Sequence, residues 1–166
     1  MNLLKNKNIL IVGVANKHSI AAGIAQSMSE NGANIALTYQ NERLKNNVEK
    51  IGQELDVTTF LPCDVSSDTE IEETFKNLAK KWDGLDGVIH AVGYAPREEL
   101  DGEFVDVTSR QGFQIAHDIS SYSFIGLAKE AKNMMKGRNG SLLTLSYLGS
   151  QMTLPNYNVM GLAKAS

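Results

Sequence analysis

Near the end of the 166-residue chain a phenol and an ammonium stand seven positions apart, in Tyr157-Asn-Val-Met-Gly-Leu-Ala-Lys164. At about 3.6 residues per turn, seven residues return to nearly the same helix face, so the two side chains would face one cleft. A phenol, with a pKa near ~10, can donate a proton or hydrogen bond to developing oxyanion charge. A cation beside it stabilises that charge and can grip ribose hydroxyls. The spacing alone equally suits an exposed helix with a buried Tyr and a solvated Lys. Tyr147 follows a strand-like run, where a site residue and a packed loop aromatic are both open.

A second set of residues suits a phosphate-bearing ligand. In Gly13-Val-Ala-Asn-Lys-His-Ser19-Ile20, Gly13 lets the backbone turn and approach a diphosphate, and Ser19 sits where a helix begins, its amides and hydroxyl placed to meet a phosphate oxygen. The G-x-G-x-x-G pattern is absent, so a plain strand-turn-helix also fits. Gln40 follows the second strand-like run, where dinucleotide folds often place an acid on the adenosine ribose, and a neutral amide can still bond a 2′-hydroxyl. Arg43 is the only base beside it, which leaves no paired cations for a 2′-phosphate. Asp64 and Val65 could offer a carboxylate and a backbone amide to an adenine ring, or Asp64 could cap a turn. The small residues of His90-Ala-Val92-Gly93 would let a flat ring lie against backbone. His18, His90 and His117 lack metal-ligand spacing, no G-x-S-x-G elbow is present, and Asp118 reads as a helix-capping or packing residue.

The elements that must carry these residues alternate along the chain. Short apolar runs at Asn8 to Gly13, Asn34 to Thr38, Val57 to Pro62, Gly87 to Ala91 and Ser141 to Ser146 have strand length. Between them lie helical patterns: Ile20, Ile24 and Met28 up to a stop at Gly32; Leu44, Val48, Ile51 and Leu55, weakened by Gly52; and Ile71, Phe75, Leu78, Ala79 and Trp82 behind the capping box Ser67-Asp-Thr-Glu70. A fourth helix opens with a second box, Thr108-Ser-Arg-Gln111, and runs from Phe113 to Met134, long enough to flank a neighbouring subunit. This alternation implies a doubly wound parallel sheet of order 3-2-1-4-5, with ligands at the carboxyl ends near the switch between strands 1 and 4. Residues 1–166 are expected to form a single dinucleotide-binding domain.

With 16 Lys+Arg scattered among 19 Asp+Glu, the chain has no basic footprint for nucleic acid and no polybasic membrane patch. Ile9 to Ala15 is far shorter than the ~20 apolar residues of a membrane helix. Lys5 and Lys7 before it imitate a signal peptide only faintly, so a core strand is expected. The lone Cys63 cannot form an internal disulfide, which fits a reducing compartment.

Together, Gly13 to Ala25, Ala36-Leu-Thr-Tyr-Gln40, Cys63-Asp-Val65, Phe113 to Phe124, Leu143 to Gly149 and Asn156 to Ser166 resemble the short-chain dehydrogenase/reductase superfamily, and within it the NADH-dependent enoyl-[acyl-carrier-protein] reductases of bacterial type II fatty acid synthesis. The resemblance covers the whole chain, and the six residues between Tyr157 and Lys164 are its most specific mark. It implies a Rossmann-like fold and reduction of a trans-2-enoyl thioester by hydride from NADH. Gly13, Ser19, Ile20, Gln40, Asp64, Val65 and Val92 would line the cofactor site. Lys164 would bind the nicotinamide ribose, Tyr157 the thioester oxygen, and Tyr147 would stand where the superfamily often has serine. Ala95, beside Tyr94, would touch substrate, and Ala91, where serine is common, leaves only backbone contacts there. The partners implied are acyl carrier protein and three further copies, as a cytoplasmic homotetramer, with no metal. A ketone or hydroxyl oxidoreductase of the superfamily would prefer serine near 147 and three residues between Tyr and Lys; a non-catalytic nucleotide-binding module also stays open.

The family continues beyond the position of Ser166 with further strands and a substrate-covering helix, so this chain resembles a C-terminally shortened member. An uncovered fifth strand and a helix of about two turns are marginal by themselves. The 166-residue chain alone is therefore expected to be poorly soluble or loosely folded and inactive, binding at best the adenosine half of NADH. A monodisperse, cooperatively melting product that reduces crotonyl thioesters would overturn that expectation.

Overall fold

A computed structural model describes residues 2–166. Five strands, β1 (Asn8–Val12), β2 (Asn34–Tyr39), β3 (Thr59–Pro62), β4 (Gly87–His90) and β5 (Ser141–Thr144), form one wholly parallel sheet in the order β3-β2-β1-β4-β5. The helices are α1 (Ile20–Glu30), α2 (Glu42–Gln53), α3 (Asp68–Ala79), α4 (Phe104–Val107), α5 (Arg110–His117), α6 (Ser123–Met134) and α7 (Asn158–Ala165). This is the expected Rossmann-like winding. Two compact units share the chain: one runs to Ala91 and adds Gly126–Thr144, and the other comprises Val92–Ile125 and Leu145–Ser166. Among the described residues no helix is long and apolar enough to cross a membrane.

The first unit holds the sheet. Because strand side chains alternate, Ile9, Ile11, Ile35, Leu37 and Ile89 fall on one face, where they pack with Ala21, Ala22 and Ala25 of α1 and Val48 of α2. Leu10, Val12 and Val88 take the other face, and the inward stripes of α3 (Ile71, Phe75, Leu78) and α6 (Leu127, Ala131) are buried as well. Small Gly126 brings α6 close to Ile71, whose Cδ1 would lie 3.1 Å from an added Cβ. Of the expected apolar face of α1, Ile24 and Met28 pack against the core beside the buried Ala21, Ala22 and Ala25, and only Ile20 departs from it, 68% exposed at the first turn.

Helix ends show how side chains compete for orphan amides. Ser67 Oγ accepts from the Glu70 amide at 3.3 Å as expected, but the Glu70 carboxylate accepts from the Asp64 amide at 2.8 Å rather than closing the box on Ser67. At the fourth helix the cap is Ser109, not Thr108: Ser109 Oγ accepts from the Gly112 amide at 2.9 Å, and Thr108 Oγ1 is buried without a partner. The single long helix expected there is two, α5 and α6, joined by a π-helical turn at Asp118–Tyr122. β1, β4 and β5 end one or two residues before their apolar runs do, β2 runs one residue further to Tyr39, and β3 ends with its run at Pro62. β3 starts at Thr59 because Asp56 takes a left-handed φ of 58° and the Val57 amide turns back to Gly52 O. Cys63 is buried, and burial pushes its thiol pKa up to about 11.

Gly52 lies against β3, where an added Cβ would overlap the Phe60 ring. Alanine gains about 1 kcal/mol in helix propensity, whereas overpacking a filled core costs about 1–3 kcal/mol. Gly52→Ala in the intact protein is therefore expected to lower stability, by roughly 1 kcal/mol, and urea unfolding would show it; a gain in stability would mean that Phe60 moves aside freely.

Candidate functional site

In the first unit the carboxyl ends of β1, β2 and β3 carry the candidate phosphate and adenosine residues. Gly13 has a φ of 112°, which glycine alone adopts without strain, and an added Cβ would overlap the Ala91 carbonyl. The close approach that requires glycine is thus to the neighbouring strand's backbone. Ser19 is the N-cap of α1, yet its hydroxyl donates to Asn16 O at 2.7 Å and makes no bond to the helix, so the first turn keeps uncapped amides. Such a turn suits an anion. Gln40 Nε2 donates to Asp64 Oδ2 at 3.1 Å, joining the ends of β2 and β3. Asp64 also accepts from the Ser66 amide at 3.0 Å and the Ser66 hydroxyl at 2.7 Å, closing a turn. Burial pushes the Asp64 pKa up, but these bonds outweigh it and hold the carboxyl below its usual range. Val65 is buried, which leaves only its backbone to meet a ligand.

The second unit brings together Val92, Lys164, Tyr147 and Tyr157. Lys164 Nζ donates to Val92 O and to Leu145 O, both at 2.9 Å. Gly93 makes room for it, since an added Cβ would stand 3.1 Å from Nζ. Half-burial lowers the Lys164 pKa. The grip on Leu145 accounts for the early end of β5, whose run was expected to reach Ser146: the Leu145 carbonyl and the Ser146 hydroxyl both turn to Lys164, the latter donating to Lys164 O at 3.1 Å.

Tyr157 is not inside the helix with Lys164, as its spacing suggested, but is the N-cap residue just before α7. Its ring lies over Gly149, where an added Cβ would overlap it, and meets the Tyr147 ring edge-on with centroids 4.9 Å apart. Burial first, and then the neighbouring Tyr147, raise the Tyr157 pKa above that of free tyrosine. A cavity of ≈ 330 Å³ adjoins Tyr157, walled by Phe104, Met152, Leu154 and Leu162. Ala95 packs beside Tyr157 in a small apolar cluster with Ala116, Val159, Met160 and Ala163.

Some supporting residues were not visible in the spacing. Ser120, in the π-helical turn, accepts from the Tyr94 amide at 2.9 Å and donates to the Tyr94 carbonyl at 3.0 Å, so one hydroxyl fixes the segment from Gly93 to Ala95. Its only sequence signal is a serine within a helical pattern where an apolar residue would otherwise pack. Asn158 is still more remote in sequence from the Glu99 and Gly102 carbonyls that it bonds.

A parallel sheet bears an uncapped turn after β1 in the first unit, and a half-buried Tyr157 and a carbonyl-gripped Lys164 stand in the second. The Enoyl-(Acyl carrier protein) reductase family pattern matches residues 13–166, and the chain belongs to that family. It is 51% identical over 166 residues to Enoyl-[acyl-carrier-protein] reductase [NADH] FabI of Salmonella typhimurium, covering 100% of this chain and 63% of that relative. The enoyl-(acyl-carrier-protein) reductase of Anaplasma phagocytophilum in complex with NAD superposes with a TM-score of 0.94 at 44% identity, over 98% of this chain and 62% of that one. The Bacillus cereus enoyl-acyl carrier protein reductase with NADP+ and an indole naphthyridinone gives 0.95 at 44%, over 100% and 65%. The chain thus spans about 63% of the length of the curated relatives it matches.

Gly149→Ala is expected to displace the Tyr157 ring, at a cost of about 1–3 kcal/mol. The near-UV circular dichroism of the tyrosines should change, and a spectrum identical to that of the wild type would show that the ring does not depend on the glycine.

Proposed function

We propose that this chain is the N-terminal part of a cytoplasmic, homotetrameric NADH-dependent enoyl-[acyl-carrier-protein] reductase, which reduces the trans-2 double bond of an enoyl thioester carried by acyl carrier protein. The observation that carries this reading is the pair of carbonyls, Val92 O and Leu145 O, that grips Lys164. An ammonium has three donors, and two carbonyls leave one for a ribose hydroxyl. The six-residue gap to Tyr157 and the family match favour an enoyl substrate over a ketone.

The residues present fit a dinucleotide. In the first unit the uncapped turn of α1 at Ser19 and Ile20, reached through Gly13, would take the diphosphate, while Gln40, Asp64 and the Val65 backbone would take the adenosine. The Gln40–Asp64 corner bears a carboxylate held ionised, which disfavours a 2′-phosphate and supports NADH. In the second unit Val92 and Lys164 would hold the nicotinamide ribose. When bound, NADH supplies the hydride equivalent that saturates the β-carbon. The charge this leaves on the thioester oxygen would be met by a hydrogen bond from Tyr157, and a proton taken up from water at the α-carbon would complete the reduction. With its pKa raised, that phenol keeps its proton through the neutral range and gives the oxyanion a donor rather than a competing charge. Lys164 orients the ribose hydroxyl beside it and adds positive charge, Tyr147 holds the Tyr157 ring edge-on, and Ala95 would border the acyl chain.

The test is loss of NADH absorbance with crotonyl thioester set beside a matched ketoacyl thioester, using the intact protein. Turnover of the enoyl substrate alone is expected. Tyr157→Phe should lower kcat by at least about tenfold with NADH affinity nearly unchanged, whereas Lys164→Ala should weaken both. Equal loss of cofactor affinity in the two variants would sink this division of labour.

A further inference from the structure

The turn that delivers Tyr157 contains two left-handed residues. Tyr157 itself is ordinary, with φ −105° and ψ −26°, but Asn156 has φ 59° and Asn158 has φ 36°. The left-handed region is unfavourable for an L-residue, less so for asparagine than for most. Asn158 is moreover the first residue of α7, where a regular helix would set φ near about −63°. Its own side chain holds it there: Nδ2 donates to Glu99 O and to Gly102 O, each at 3.1 Å. Glu99 is itself anchored. The Glu99 carboxylate, 3% exposed, accepts from the Ser109 amide at 2.9 Å and the Ser109 hydroxyl at 2.6 Å, which ties it to the cap of α5. Gly112 leaves the space, since an added Cβ would overlap that carboxylate.

We propose that Asn158 is a positioning residue for Tyr157: its carboxamide, bridging the Glu99 and Gly102 carbonyls, holds the left-handed entry to α7 and so sets where the phenol stands. This rests on the reading of Tyr157 as the group that meets the thioester oxygen. Glycine at 158 accepts the same φ but removes the amide. Aspartate keeps the shape and tolerance of asparagine but brings oxygen, not N–H, to both carbonyls. Each therefore removes the brace while keeping the backbone attainable.

The experiment measures kcat, KM and NADH affinity for Asn158→Gly and Asn158→Asp in the intact reductase with crotonyl thioester, and for Asn158→Gly combined with Tyr157→Phe. Both single variants are expected to lose about tenfold or more in kcat, as an ångström-scale misplacement would cause. NADH affinity should stay within about twofold, and in the Tyr157→Phe background Asn158→Gly should lower kcat by less than about twofold, because the group it positions is already gone. Wild-type kcat in both variants, an undiminished further loss in the Tyr157→Phe background, or failure of both variants to fold would overturn the proposal. In each case wild-type turnover shows that the enoyl reductase reading stands. A wild-type protein that leaves the thioester untouched overturns that reading and the role of Asn158 with it.

Discussion

A parallel sheet sends the carboxyl end of every strand to one edge, and this constraint governs what the chain can do. No hairpin can join parallel neighbours, so each strand must be followed by a crossover, and each crossover begins at that edge. The register β3-β2-β1-β4-β5 turns the ends of β1, β2 and β3 into Gly13, Gln40 and Asp64, and the chain leaves β4 and β5 through Val92 and Leu145. Gly13, Gln40, Asp64 and Val92 are spread through the sequence because each follows a separate strand.

Within the second unit the dominant electrostatic event is the partial burial of Lys164. Removing an ammonium from water is unfavourable, and it appears in the lowered pKa. The two carbonyls offset that cost by replacing water as acceptors, and they also hold together the segments that follow β4 and β5. Tyr157 shows the complementary case: burial disfavours the phenolate, so the same loss of solvent that discourages a charged lysine preserves a neutral phenol. One group gives up some of its charge preference and the other keeps its proton.

The alternation of apolar runs and one-sided helices was enough to read the sheet order, because strand length and helical period are local properties. What escaped the sequence was competition between distant groups. Thr108 and Ser109 are equally good caps by type, and Ser109 wins because Glu99 also binds it. Ile20 fits a buried helical stripe as well as Ile24 and Met28 do, but it stands at the first turn of α1 and stays exposed while they pack against the core. The seven-position spacing of Tyr157 and Lys164 suggested one helix, whereas the left-handed Asn158 places the helix start between them. The site residues were legible as types, and their roles in holding one another were not.

The packing of Glu99 against Gly112 has a consequence for how this chain can diverge. A buried carboxylate pressed on a glycine makes a volume pair: a side chain can appear at 112 only where position 99 has first become shorter, and a shorter residue at 99 abandons the Ser109 cap. Change at 112 must therefore wait for change at 99, whereas change at 99 is opposed only by the loss of its two bonds from Ser109.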